Sequence, residues 1–222
     1  FMKQEATIDK VPISAEEKVL KNTYMLLGMN LLTASGVAFI SMSSGIGAIP
    51  WYFMLPVYFV LLYLVEKNAD SAAGLPLTFV FTGFLGLTLG PILNQVMQIS
   101  NGSEIITTAL MSTAILFVVL SAWTIKMRLK MSKFASFLAV GMISAFIMSI
   151  MNVVLFQSSV ISMVISTAVM FLSGAIIMWQ TSEIINGGET NYIRATITLF
   201  VQIYNMFLSL IQLLGFSDIL KD

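Results

Sequence analysis

Seven long apolar stretches divide this chain into eight flanking segments, and ten of its eleven Lys and Arg residues fall in the odd-numbered ones. The first segment carries Lys3, Lys10, Lys18 and Lys21, and the third carries Lys67. The fifth carries Lys126, Arg128, Lys130 and Lys133, and the seventh carries Arg194. Only Lys221 lies in an even segment. Cytoplasmic loops of membrane proteins are enriched in Lys and Arg, so the alternation predicts both span number and direction. The reading is an all-α integral membrane protein with seven transmembrane helices, N-terminus inside and C-terminus outside.

Charge content supports this. Charged residues make up 10% of the chain and hydrophobic ones 58%, whereas soluble domains carry roughly 25% charged residues. Seven spans of about 20 residues use up most of the 222 residues. The expected organisation is a cytoplasmic tail over 1–18, a transmembrane domain over 19–216 and a short external tail over 217–222. The formal net charge is zero, so no bulk field draws in nucleic acid.

The residue inventory narrows the chemistry. There is no Cys and no His, which removes thiol nucleophiles, disulfides, the H-E-x-x-H zinc site and the usual pH switch near neutrality. Asp9, Asp70, Asp218 and Asp222 fall outside the expected spans. Glu5, Glu16, Glu17, Glu66, Glu104, Glu183 and Glu189 fall in tails, loops or helix ends. An intramembrane aspartyl protease needs two embedded carboxylates, and the hydrocarbon centre here carries none. The chain is expected to be neither an enzyme nor the holder of a cofactor or resident metal.

The spans are expected at about 20–41, 50–65, 74–97, 104–125, 134–156, 160–181 and 192–216. In the third, Gly86 and Gly90 form a G-x-x-x-G pair that lets another helix approach closely. Pro91 follows and should kink the helix, with Asn94 one turn on. In the seventh, Thr198, Gln202, Asn205, Ser209 and Gln212 recur every three or four residues and so share one face. A polar stripe of that length belongs toward the bundle interior, which makes the seventh span central.

Two segments carry a family resemblance. One runs from Phe81 through Gly86, Gly90 and Pro91 to Asn94. The other is Gly187-Gly188-Glu189-Thr190-Asn191-Tyr192-Ile193-Arg194-Ala195-Thr196, continuing through Leu199 to Tyr204-Asn205-Met206-Phe207. With Lys21-Asn22-Thr23-Tyr24 before the first span, they resemble the Bax inhibitor family, in its bacterial YccA branch. The resemblance implies six helices surrounding a central seventh, in the bacterial inner membrane. It implies one of two functions. One is modulation of the membrane-anchored AAA+ protease FtsH, with the N-terminal tail as the handle. The other is a pH-sensitive calcium leak, gated at the cytoplasmic ends of helices six and seven.

The sequence departs from the leak-type members at one place. They carry a carboxylate on helix six and another on helix seven, and the matching positions here are Gln180 and Gln202. A carboxylate pair titrates near neutrality because like charges resist joint ionisation, and two amides do not titrate. Gln180 and Gln202 either line a closed pore together with Asn205 or bond each other and pin the two helices. Glu183, Glu189 and Arg194 form either a cytoplasmic gate or a helix-start carboxylate beside an interfacial Arg. Pro91 and Asn94 either shape a pore or mark a kink filled by a neighbouring side chain. The 126–133 cluster signals topology or docks a partner or anionic lipid.

Overall fold

The computed structural model describes residues 14–47 and 49–219, with side chains as far as residue 215. Seven helices follow in order: α1 (Ala15–Ser43), α2 (Trp51–Asn68), α3 (Gly74–Met97), α4 (Gly102–Met127), α5 (Ala135–Met151), α6 (Ser159–Ile185) and α7 (Tyr192–Ile219). No strand occurs among the described residues. A π-helical turn, Asn152–Phe156, extends α5. Six of the seven are long and apolar enough to cross a membrane. The exception is α2, whose last three residues are Glu66, Lys67 and Asn68 and whose interior holds Pro56 and three tyrosines including Tyr52.

The ends depart from expectation for local reasons. α1 begins four residues inside the expected tail because Ser14 caps it. The Ser14 hydroxyl accepts from the Glu17 amide at 3.2 Å, and the Glu17 carboxylate accepts from the Ser14 amide at 3.3 Å. This reciprocal arrangement satisfies two donors that a bare helix start leaves orphaned. α7 runs on to Ile219, past the expected limit at 216. The remainder of the expected tails, residues 1–13 and 220–222, lies outside the described residues.

Lipid gives helices no hydrophobic reason to associate, so small residues and hydrogen bonds decide which of them approach. α1 and α3 form the most intimate pair. A Cβ on Gly86 would overlap the Ala34 carbonyl, and one on Gly90 would overlap the Ser41 side chain. Asn30 is fully buried between them, donating to the Thr78 hydroxyl at 3.3 Å and accepting from that of Thr82 at 3.1 Å. Pro91 has no N–H to offer the Leu87 carbonyl one turn back. The Ser41 hydroxyl donates to that carbonyl at 2.8 Å instead, and the Asn94 amide donates to the Met42 carbonyl at 3.0 Å.

α7 packs against α6, α4, α1 and α3. Its buried Ile197, Leu199, Phe200 and Met206 join Leu27 of α1, Phe81 and Leu85 of α3, and Ile177 of α6 in one core. α2 packs chiefly along α3, and α5 along α6. Leu110, Met111, Ile115 and Val118 of α4 and Phe137, Val140 and Ile147 of α5 are exposed. Such a surface suits a bilayer and not water.

Candidate functional site

The odd-numbered segments gather at one end of the bundle. Asn191, just before α7, donates to the Ala69 carbonyl at 3.0 Å in the α2–α3 link. Asn186, just after α6, donates to the Leu129 carbonyl at 2.9 Å in the α4–α5 link. The Thr196 hydroxyl reaches the Thr23 carbonyl near the start of α1 at 3.2 Å. The loops that carry the basic residues therefore meet around the α6–α7 connection.

That connection is built from caps. The amides of Gly188 and Glu189 donate to the Glu183 carbonyl at 2.8 and 3.1 Å, which closes α6. Gly187 makes the reversal at a φ of 77°, a conformation open to glycine without steric cost. Asn191 then caps α7, its side-chain oxygen accepting from the amides of Ile193 and Arg194 at 2.8 and 3.2 Å. The Glu189 carboxylate accepts from the Asn191 amide at 2.8 Å, near the positive end of the α7 dipole.

Arg194 projects from the first turn of α7 onto the α2–α3 link. Its guanidinium lies 2.7 Å from Asp70 and 3.5 Å from Glu66, and Asp70 also accepts from Asn191 at 2.8 Å. Glu66 sits just past the apolar part of α2. Burial holds its carboxyl above the ordinary range, with Arg194 pulling it down and Glu189 pushing it up. All three charged side chains are at least one-third exposed, so the cluster contributes about 0–1 kcal/mol and acts as a latch between α7 and the α2–α3 link.

From Glu66 a cavity of about 630 Å³ extends between α2, α5, α6 and α7. All five members of the α7 stripe, Thr198, Gln202, Asn205, Ser209 and Gln212, line it. They span about 21 Å at 1.5 Å per residue. Tyr58, Leu62, Phe59 and Phe146 form much of the opposing wall. At the end away from Glu66, the Ser166 hydroxyl donates to Gln212. Tyr204 also lines the cavity, and its hydroxyl lies 3.0 Å from that of Thr88.

The residues singled out from sequence separate into distinct places. Gln202 and Asn205 are on the cavity, and Gln180 is not. No hydrogen bond joins Gln180 to Gln202 among the described residues; the Gln180 amide nitrogen and the Gln202 side-chain oxygen are each buried without a partner. Gln202 lines the cavity, whereas Gln180 is buried away from it, five residues from the end of α6. Glu183 turns away from Arg194, accepting from the Ser132 hydroxyl at 2.6 Å in the α4–α5 link. Gly86, Gly90, Pro91 and Asn94 belong to the α1–α3 contact, off the cavity. Glu66, Asp70 and Asn191 were not among the expected site residues. The four-residue spacing of Glu66 and Asp70 in an odd segment was the available signal. Among the described residues no group of three or more Asp or Glu side chains is placed to hold a metal ion.

Comparison with known proteins extends the reading. Residues 16–218 match the family model described as inhibitor of apoptosis-promoting Bax1. The chain is 37% identical over 210 residues to the Escherichia coli K12 protein named modulator of FtsH protease YccA, covering 95% of each. It has the same identity and coverage to a protein of E. coli O6:H1 named inner membrane protein YccA. It is 41% identical over 202 residues to an uncharacterised protein of Pseudomonas aeruginosa, covering 90% of this chain and 89% of the relative.

Proposed function

We propose that this chain, which belongs to the Bax inhibitor family, binds a membrane-anchored AAA+ protease of the FtsH type and modulates it. The protein is a multi-pass protein of the bacterial inner membrane. The observation that carries the proposal is the likeness to the E. coli FtsH modulator along 95% of both chains. In this reading α7 is the axis of the bundle and the basic end faces the cytoplasm, following the Lys and Arg distribution. The N-terminal segment and the latched loops then lie on one side, within reach of a cytoplasmic protease domain.

The calcium-leak reading finds less support. Calcium takes several oxygen ligands, usually with carboxylates among them. Glu183 is engaged by Ser132 and Glu189 by a backbone amide, and neither lines the cavity. The two positions at which a carboxylate pair would titrate are the amides Gln180 and Gln202.

Removing residues 1–13 tests the proposal and spares the Ser14 cap of α1. Membrane insertion should persist, while turnover of the chain by FtsH and co-purification with it should fall sharply. Unchanged turnover and unchanged co-purification would contradict the proposal.

A further inference from the structure

We propose that the cavity beside α7 is a binding site for an uncharged amphiphile drawn from the bilayer, held by a hydroxyl or amide donor on Gln202. Four observations lead there, none of which depends on the protease reading. First, the volume of about 630 Å³ falls within the roughly 300–1,000 Å³ of small-molecule sites. Second, the cavity has a route to lipid. α2 and α5 lean on different neighbours and meet edge to face at Phe59 and Phe146, residues that line the cavity and are exposed on the outside.

Third, the Gln202 side-chain oxygen is an acceptor without a donor. The residue is 7% exposed and lines the cavity, and a buried acceptor left unpaired is costly. A turn of the Gln202 side chain toward the cavity lets a ligand N–H or O–H meet that oxygen and relieve the cost, and Thr198, Asn205 and Ser209 flank it with further polar groups on the same face. Fourth, Glu66 at one end is the only formal charge on the lining among the described residues. Its partner is Arg194, so the lining offers neither an anionic nor a cationic head group an unpaired counter-charge. Aromatic and aliphatic side chains such as Phe59, Leu62 and Val169 supply a wall for one hydrocarbon chain.

The experiment uses the full chain in nanodiscs and three photoreactive probes with the same sixteen-carbon chain. These are a monoacylglycerol (uncharged, donating), a fatty-acid methyl ester (uncharged, no donor) and the free fatty acid at pH 8. Cross-linked peptides are located by mass spectrometry. Saturable labelling of α2, α5 and α7 by the monoacylglycerol is expected, competed by unlabelled monopalmitoylglycerol and weak with the other two probes. Gln202→Leu should weaken it by about three- to tenfold. Leu208→Trp, which fills the cavity from α7, should abolish it, and melting curves confirm that each variant is folded. Labelling of Leu110, Ile115 and Val118 on the lipid face of α4 as strongly as the cavity walls would overturn the proposal. So would equal labelling by the methyl ester, or labelling indifferent to both substitutions.

Discussion

The α1–α3 side and the α2–α5 side of this protein solve the same problem in opposite ways. On the first, two glycines bring backbones into contact, and buried polar groups such as Asn30, Thr82 and Ser41 find partners. On the second, two helices packed on different neighbours touch through aromatic rings, and α7 lines a cavity with five polar side chains. Both sides meet lipid, where apolar area alone gives no drive to associate. What separates them is whether the residues at the contact are small and mutually satisfied. Space is left where they are large or orphaned.

Substitutions that exchange these characters test the contrast. The largest effect is expected for Gly86→Leu, because the new side chain meets the α1 backbone at Ala34, which has nowhere to move. Overpacking of this kind costs about 3 kcal/mol and should lower the melting temperature in detergent far more than Leu208→Trp on the cavity wall. A melting temperature unchanged by Gly86→Leu would mean that the close approach is not what holds α1 to α3.

Next comes Ser41→Ala, which strips the Leu87 carbonyl of the donor that replaces the missing Pro91 N–H. A buried acceptor left unmade costs about 1–3 kcal/mol. Pro91→Ala restores an N–H within α3, so the double variant should recover most of the loss. Additive losses would show that Ser41 acts through something other than that carbonyl.

A smaller effect is expected at the latch. Arg194→Gln removes the partner of Asp70 and Glu66 at a cost of about 1 kcal/mol or less, since the groups are half-exposed. Its sign with pH is informative. A carboxyl whose folded pKa is raised binds its proton more tightly folded than unfolded. Its stabilising contribution is complete below its ordinary range and is lost as the pH rises through the raised folded value. Burial raises Glu66 and Arg194 opposes the rise, so the variant widens that window. Its deficit in melting temperature should grow as the pH rises above the ordinary glutamate value of 4.5. A deficit that shrinks over that rise would exclude Glu66 as the responsible group. Gln202→Leu acts in the opposite direction: it deletes a buried acceptor that has no partner and should raise the melting temperature by the equivalent of about 1 kcal/mol, and a lowered melting temperature would show that the acceptor is satisfied.

Much of the fold was legible in the chain. The Lys and Arg alternation located seven helices, and the helix expected over 74–97 is α3 (Gly74–Met97). The G-x-x-x-G pair marked a close contact, and the polar period of α7 marked one face. The start of α1 was readable too, from Ser14 and Glu17 three residues on, but hydropathy points to the apolar run and not to its cap. The site was less legible. Matching positions in two helices says nothing of what surrounds each side chain, so Gln180 and Gln202 read as a pair, yet only Gln202 lines the cavity and no hydrogen bond joins them. Asp70 reads as a loop charge until the α2–α3 link is known to lie beside Arg194. Glu183 and Arg194 read from sequence as one cytoplasmic cluster, yet Glu183 meets the α4–α5 link and Arg194 the α2–α3 link.

The contrast between the two sides can be measured directly because the chain has no native Cys. Single cysteines at Thr198, Asn205 and Gln212 on the cavity face, and at Thr78, Thr82 and Ser41 in the α1–α3 contact, would be treated with a small uncharged maleimide in membranes. The account predicts modification of the first three at rates well above the second three, with each folded protein checked by its melting curve. Equal protection of both sets would contradict it, since the polar face of α7 would then be as closed as the seam between α1 and α3.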